Sequence, residues 1–258
     1  MSLKKSATYL QRDPSTVSRF ESGEYPIRRP DLLALLDLYR LDDDSLRQTL
    51  LKVGDEVWQT GWWDGYAEHV PGALLDLSWL EERALRIRSF DPLVIPGLLQ
   101  TREYARSVIA AGAPAASAEQ FERWVEFRMA RQQVLAREDP LRLAVLVDEA
   151  VLRRPAGAAE VMYAQLDRLL ETAAWPNVEV RVLPLRAGVH ASPEGSFRLV
   201  EMPEPYSDIV HVSTPAGAIY VESDGVRQFE ETYHRLYETA LDPDASAALI
   251  SDVMDDWK

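Results

Sequence analysis

The chain has 258 residues, with 28 basic and 42 acidic side chains, no cysteine and 47% apolar residues. That apolar fraction belongs to a globular protein and not to a disordered one. The missing cysteines exclude disulfides, thiolate metal sites and cysteine nucleophiles. Apolar runs are short and interrupted by charge, which excludes a membrane span and a signal peptide, so a cytoplasmic protein with no membrane contact is expected.

The net charge of −14 is unevenly placed. Residues 1–40 hold Lys4, Lys5, Arg12, Arg19, Arg28, Arg29 and Arg40 against Asp13, Glu21, Glu24, Asp31 and Asp37, a net of +2. The other 218 residues therefore carry −16. Phosphates would be repelled by the acidic part and tolerated by the first stretch, which suggests two regions with different partners.

In chain order, residues 4–56 read as short helices. Ala7, Leu10, Val17 and Phe20 recur at helical spacing. Asp13-Pro14 is a strong helix start, because Asp13 can accept a backbone N–H and Pro14 loses no hydrogen bond at the first helical position. Gly23 is expected to end that helix. Pro30 opens another, with an apolar face from Leu32 to Leu38, and a last short helix covers about 43–57. Trp58, Trp62, Trp63 and Tyr66 lie among glycines and prolines and read as an ordered loop at a domain boundary near Trp58. Residues 73–139 read as helical, with Leu77, Leu80, Ala84 and Ile87 in one stripe, and with Thr101 and the pair Ser117/Gln120 as helix caps. The segment Ile95-Pro96-Gly97 makes a sharp turn. Leu141 to Val147 is a strand candidate and Gly157 to Ala174 a helix. Val178, Val180 and Val182 alternate with charged residues as in a half-buried strand. Strands at 196–202, 208–213 and 217–221 follow without intervening helices, so the sheet is expected to be mostly antiparallel. Helices at about 223–240 and 244–256 close the chain.

Helix, tight turn and polar helix is the layout that presents a helix N-terminus to a DNA major groove. Ser15, Thr16, Ser18 and Arg19 supply hydrogen-bonding groups at the start of the second helix. Arg can fork onto guanine, and Ser or Thr can bond bases or phosphates. Arg28 and Arg29 follow one loop later, placed to grip the phosphate backbone. Ala7, Leu10 and the run Ser15-Thr16-Val17-Ser18-Arg19-Phe20-Glu21-Ser22-Gly23 resemble the helix-turn-helix of the xenobiotic-response-element (Cro/cI-like) family. Downstream, Trp62-Trp63, Leu80 to Ala84, Val94 to Ala105, Asp148 to Arg153, Gln165-Leu166 and Val180 to Pro184 resemble the actinobacterial regulators that carry a DUF5753 domain.

The resemblance implies an antitoxin-like transcriptional regulator that binds a double-stranded DNA operator as a homodimer and engages a small DUF397-type protein encoded by a neighbouring gene. Family members carry a first helix before the turn motif. Only Met1, Ser2 and Leu3 precede Lys4 here, so that helix is read as missing, and apolar surface is expected to be exposed on Val17, Phe20 and the Leu32–Leu38 face. Gln11 stands where the family usually has the turn glycine.

Trp62, Trp63, Tyr66, Pro96, Gln100 and Tyr104 are the candidates for binding a ligand or partner; the competing account is that they pack the domain boundary and an architectural turn. His190 and His211 fall near Glu194 and Glu222, but neither H-x-x-x-H nor H-E-x-x-H spacing is present, so no metal and no cofactor is expected. Asp148-Glu149 follows an apolar strand, a common place for catalytic carboxylates. The simpler reading makes Asp148 a helix cap, and no catalytic residue is assigned. The fold expected is α+β. A small all-α helix-turn-helix domain (residues 1–57, first helix missing) precedes an acidic domain of helices plus a mostly antiparallel sheet (residues 58–258). The protein is read as a DNA-binding regulator and not an enzyme, its acidic domain receiving a small protein or small molecule. A protein-interaction module with a vestigial DNA-binding part, or an enzyme centred near Trp62, Trp63 and Asp148, are the rivals.

Overall fold

The computed structural model describes residues 2–22, 25–59 and 61–258, and the chain divides into two units, Met1–Trp62 and Trp63–Lys258. Gly23, expected to end the second helix, lies outside the described residues.

The first unit holds α1 (Leu3–Leu10), α2 (Pro14–Glu21), α3 (Arg29–Leu38) and α4 (Asp44–Glu56). Gln11 closes α1 in the left-handed region, with φ 53° and ψ 42°. The Arg12 N–H then reaches the Ala7 carbonyl at 3.0 Å, a turn that normally selects glycine because a Cβ is strained there. Asp13 caps α2 and Asp43 caps α4, each accepting a backbone N–H at its carboxylate. α1 packs against both α2 and α3. Together they bury Ala7, Val17, Leu35 and Leu36, with Leu51 of α4. α3 and α4 approach closely because position 54 is glycine: a Cβ there would stand 2.7 Å from Leu32 Cδ2. The expectation of exposed apolar surface is therefore corrected at Val17, Leu35 and Leu36, which the neighbouring helices cover. Phe20 stays half-buried, tilted against Tyr25 with ring centroids 6.2 Å apart.

The second unit holds α5 (Gly72–Arg83), β1 (Arg86–Asp91), α6 (Arg102–Gly112), α7 (Ala118–Arg131), β2 (Arg142–Asp148), α8 (Glu149–Arg153), α9 (Ala159–Ala173), β3 (Val178–Leu183), β4 (Phe197–Glu201), β5 (Ile209–Thr214), β6 (Gly217–Val221), α10 (Asp224–Thr239) and α11 (Pro243–Asp255). The six strands form one sheet in the order β3-β2-β1-β4-β5-β6. The pairs β3/β2 and β2/β1 are parallel, and β1/β4, β4/β5 and β5/β6 are antiparallel. The sheet is thus α+β and antiparallel in three of its five pairings, with a parallel half built through the helical connections α6–α7 and α8–α9.

β1 corrects the reading of residues 73–139 as helical. α5 stops at Ala84, whose ψ of 140° turns the chain into a strand. Ile87 then faces one core while Phe90 faces the other. On the Ile87 side lie Val145, Val180 and Val200 of the sheet with Leu80, Tyr104, Met162, Leu166, Leu169 and Ile250 of the covering helices. On the Phe90 side lie Leu146, Leu199 and Val210 with Val226, Tyr233 and Leu236 of α10. The sheet is sandwiched between helices, and period-2 alternation puts apolar groups on both faces. The outer edge of β3 is closed by the link into α11: the Leu241 N–H donates to the Val182 carbonyl at 2.9 Å, and the Val182 N–H donates to Ser246 Oγ at 3.0 Å. Among the described residues no helix is long and apolar enough to cross a membrane.

Candidate nucleic-acid interface

α2 is built by local chemistry. Asp13 Oδ1 accepts the Ser15 N–H at 2.8 Å and the Ser15 hydroxyl at 2.6 Å. These two donors, the hydroxyl first, hold the Asp13 carboxyl below the usual carboxylate range. The cap places a negative charge at the helix N-terminus, so phosphate attraction by the free N–H groups is opposed there. It also occupies the Ser15 proton, leaving its oxygen as an acceptor. Val17 anchors the helix, fully buried. Ser15, Ser18 and Arg19 are exposed on the opposite side, and Thr16 is half-buried. Tyr39 ties the assembly together: its hydroxyl donates to Glu21 Oε1 at 2.8 Å and lies 3.2 Å from Ser6 Oγ, joining α1, α2 and the end of α3.

Beside α2 lies an open depression of about 440 Å³ lined by Arg12, Thr16, Arg19, Phe20, Arg28 and Asp31, among others. Three guanidinium-bearing residues face one carboxylate there. Asp31 is engaged by Arg12 Nη2 at 3.1 Å. Arg28 lies over the Trp58 ring at 5.9 Å, and the Trp58 indole donates to the Ile27 carbonyl at 3.0 Å, which fixes the loop carrying Arg28. Arg29 points elsewhere, onto Asp55 of α4. The structure therefore gathers Thr16, Arg19 and Arg28 at the depression, with Ser15 and Ser18 on the exposed side of the same helix, and sends Arg29 to another face. Arg12 joins them without having been singled out; its signal was its place at the turn before a polar helix. The positive field is local, since residues 1–62 carry nine basic and ten acidic groups in all.

The other candidates have different surroundings. Trp62 ends the first unit and Trp63, buried, begins the second. Tyr66 packs edge-on against Phe127 at 5.3 Å. Pro96, Gln100 and Tyr104 are buried in a turn whose polar atoms are used internally. Gln100 donates from Nε2 to the Ile95 carbonyl at 2.6 Å and accepts from Arg128 Nη1 at 3.0 Å. The Tyr104 hydroxyl accepts the Ile95 N–H at 3.2 Å, and its burial pushes the phenol pKa up. Gln165 bridges the Leu99 carbonyl and the Thr101 N–H at 2.8 and 2.7 Å. Asp148 caps α8, its Oδ1 accepting the Ala150 N–H at 2.8 Å.

Residues 74–252 match the family described as a domain of unknown function, DUF5753, and residues 1–50 match a helix-turn-helix domain. No curated protein and no solved structure matches the chain.

Proposed function

The chain belongs to the DUF5753 family and opens with a helix-turn-helix domain, that of a DNA-binding regulator, and from this premise we propose a transcriptional regulator of the Cro/cI-like class, antitoxin-like, that reads an operator as a homodimer. The observation that carries the reading is the exposed face of α2, Ser15-Ser18-Arg19, set beside the depression lined by Arg12, Arg19 and Arg28. Arg19 reads a base edge from the major groove, and Arg12 and Arg28 hold the flanking phosphates. Two such helices in a two-fold dimer read half-sites about one helical turn apart. The second unit, which carries most of the chain's negative charge, receives the controlling signal from a small DUF397-type protein or a small molecule.

The test is fluorescence anisotropy of the full chain on its own promoter DNA over a series of salt concentrations. Phosphate contacts give an affinity that falls steeply with salt. Arg19→Ala should cost about 1–3 kcal/mol and relax specificity at one base pair, whereas Arg28→Ala should weaken all sequences alike and shallow the salt slope by about one. Salt-independent binding, or an Arg19→Ala variant with unchanged sequence preference, would retire the assignment. For the partner, calorimetry with the product of the adjacent small gene, followed by a repeat DNA titration, should show a changed operator affinity. Allosteric control requires that the partner favour one state of the regulator over another.

A further inference from the structure

On the Ile87 side of the sheet, arginines outnumber the carboxylates that pair with them. Glu81 of α5 takes Arg131 of α7 in a two-pronged pair, with Nε–Oε2 at 2.9 Å and Nη2–Oε1 at 2.5 Å. Asp91 at the end of β1 takes Arg198 of β4 at 3.4 Å and the Ser89 hydroxyl at 2.6 Å. Arg128, one helical turn before Arg131, has no carboxylate partner among the described residues. Among those residues its one hydrogen bond goes to the amide oxygen of buried Gln100. Arg128 and Arg131 both lie over Gly97: a Cβ built there would be 4.0 Å from Arg128 Cδ and 3.8 Å from Arg131 Nη1. Directly opposite Arg198 in the sheet register stands His211 of β5, 2% exposed, with its ring packed edge-on against Tyr220. His211 Nδ1 is buried without a hydrogen-bond partner among the described residues.

Three guanidinium groups and an imidazole thus share one side of the sheet with two carboxylates. Their mutual repulsion is visible in their acidities. Burial, then Arg131 and Arg198, lowers Arg128 to about 10. Burial, then Arg198 and Arg131, lowers His211 to about 4. Burial also pushes the Asp91 carboxyl up against the pull of Arg198 and Ser89. A half-buried cation without a counter-charge carries a desolvation cost, and a fully buried ring nitrogen without a partner carries a larger one. One bound anion with oxygen acceptors relieves both.

We propose that the second unit binds a small oxyanionic ligand, a carboxylate or a phosphate group, held by Arg128 together with Arg198 and His211. Gln100 positions Arg128 by accepting from one of its nitrogens, Asp91 positions Arg198, and neutral His211 offers Nδ1 as a hydrogen-bonding group. The turn at Ile95–Tyr104 then serves the site through Gln100 and not by touching the ligand. The assignment rests on the regulatory reading of this unit, naming its ligand class; its test uses no DNA, so it can fail while operator binding stands.

The experiment is thermal unfolding and calorimetry of the full chain with inorganic phosphate and, separately, with acetate, against sodium chloride at equal ionic strength. A saturable rise in Tm with phosphate alone identifies a phosphate ligand, with acetate alone a carboxylate, and with both a general oxyanion site. Arg128→Met should weaken the responsive anion about tenfold or more, the scale of a charge-assisted hydrogen bond. Arg128→Lys, which keeps the charge and loses the fork, should retain a weakened response. In NMR the His211 imidazole should shift on titration with the same anion. No response to either anion beyond that of chloride, or an Arg128→Met variant that binds as well as the parent with an unmoved His211 signal, overturns the assignment.

Discussion

The two units differ in how deeply they place paired charge. In the first, ion pairs span the surface: Arg12–Asp31, Arg29–Asp55 and Arg47–Asp37 each keep at least one largely solvated partner. The second has surface pairs as well, such as Arg153–Asp256, but it also packs Glu81–Arg131 and Asp91–Arg198 beneath helices at the sheet. The difference follows from depth. Four short helices bury few side chains fully and leave their cations in water, where they cost little and remain available to an incoming phosphate. A six-stranded sheet covered on both faces has an interior, and charges placed there must be paired and hydrogen-bonded or matched by something bound.

The largest test of this contrast is the removal of one charge from each kind of pair. Glu81→Gln strands the Arg131 guanidinium in the interior and should cost about 3–5 kcal/mol in urea unfolding. Arg29→Gln, at a pair exposed on both sides, should stay within about 1 kcal/mol. Equal losses would erase the distinction between the units.

A second test uses pH. His211 is held neutral, its pKa lowered from 6.5 to about 4 by burial and by Arg198 and Arg131, whereas the unfolded chain takes up a proton near 6.5. The unfolded state therefore binds more protons between these values, and stability falls as pH falls from 6.5 towards 4, by roughly 3 kcal/mol if His211 acts alone. Urea midpoints of His211→Leu should lose this part of the pH dependence. A saturating anion at the Arg128 site should raise the folded His211 pKa and so shrink this decline, and its effect should vanish in Arg128→Met.

In the first unit the expected effects are smaller. Val17→Ala removes two carbons from a fully buried side chain and should cost about 2 kcal/mol, enough to unsettle a thin core and to weaken DNA binding without touching a contact residue. Circular dichroism and anisotropy on the same variant would show both losses together; retained stability would mean that α2 is held by something other than its core face. Gln11→Gly relieves a left-handed backbone at the α1–α2 turn and should stabilise the unit by less than about 1 kcal/mol, since the gain in strain is partly offset by the freer unfolded chain.

Cap residues were readable because a cap is local. Asp13, Thr101, Ser117 and Asp148 each bond a backbone N–H two or three residues on, and each begins the helix it announces. The pair Ser117/Gln120 shows where locality ends: the Gln120 N–H goes to Ser117, but the Gln120 side chain reaches across to the His69 carbonyl, joined there by the Trp124 indole at 2.6 Å. β1 was unreadable for the complementary reason. Ile87 continues the spacing of Leu77, Leu80 and Ala84, and only the flanking strands β2 and β4, distant in sequence, draw Arg86–Asp91 into a sheet.

The candidate sites divide in the same way. The polar start of α2, with Ser15, Ser18 and Arg19 outward and Val17 inward, follows from helical periodicity over a few residues, and the residues themselves state it. That Arg28 is steadied by Trp58 while Arg29 turns to Asp55 depends on where α4 returns the chain. The cationic cluster of the second unit depends on more distant contacts still: Gln100 and Arg128 meet across 28 positions, Asp91 and Arg198 across 107. Short-range hydrogen bonding and side-chain period act within one turn of chain and are written in consecutive residues. Desolvation acts through whatever the completed fold brings together, so which arginine finds a carboxylate and which is left without one was decided only when the sheet and its covering helices closed over them.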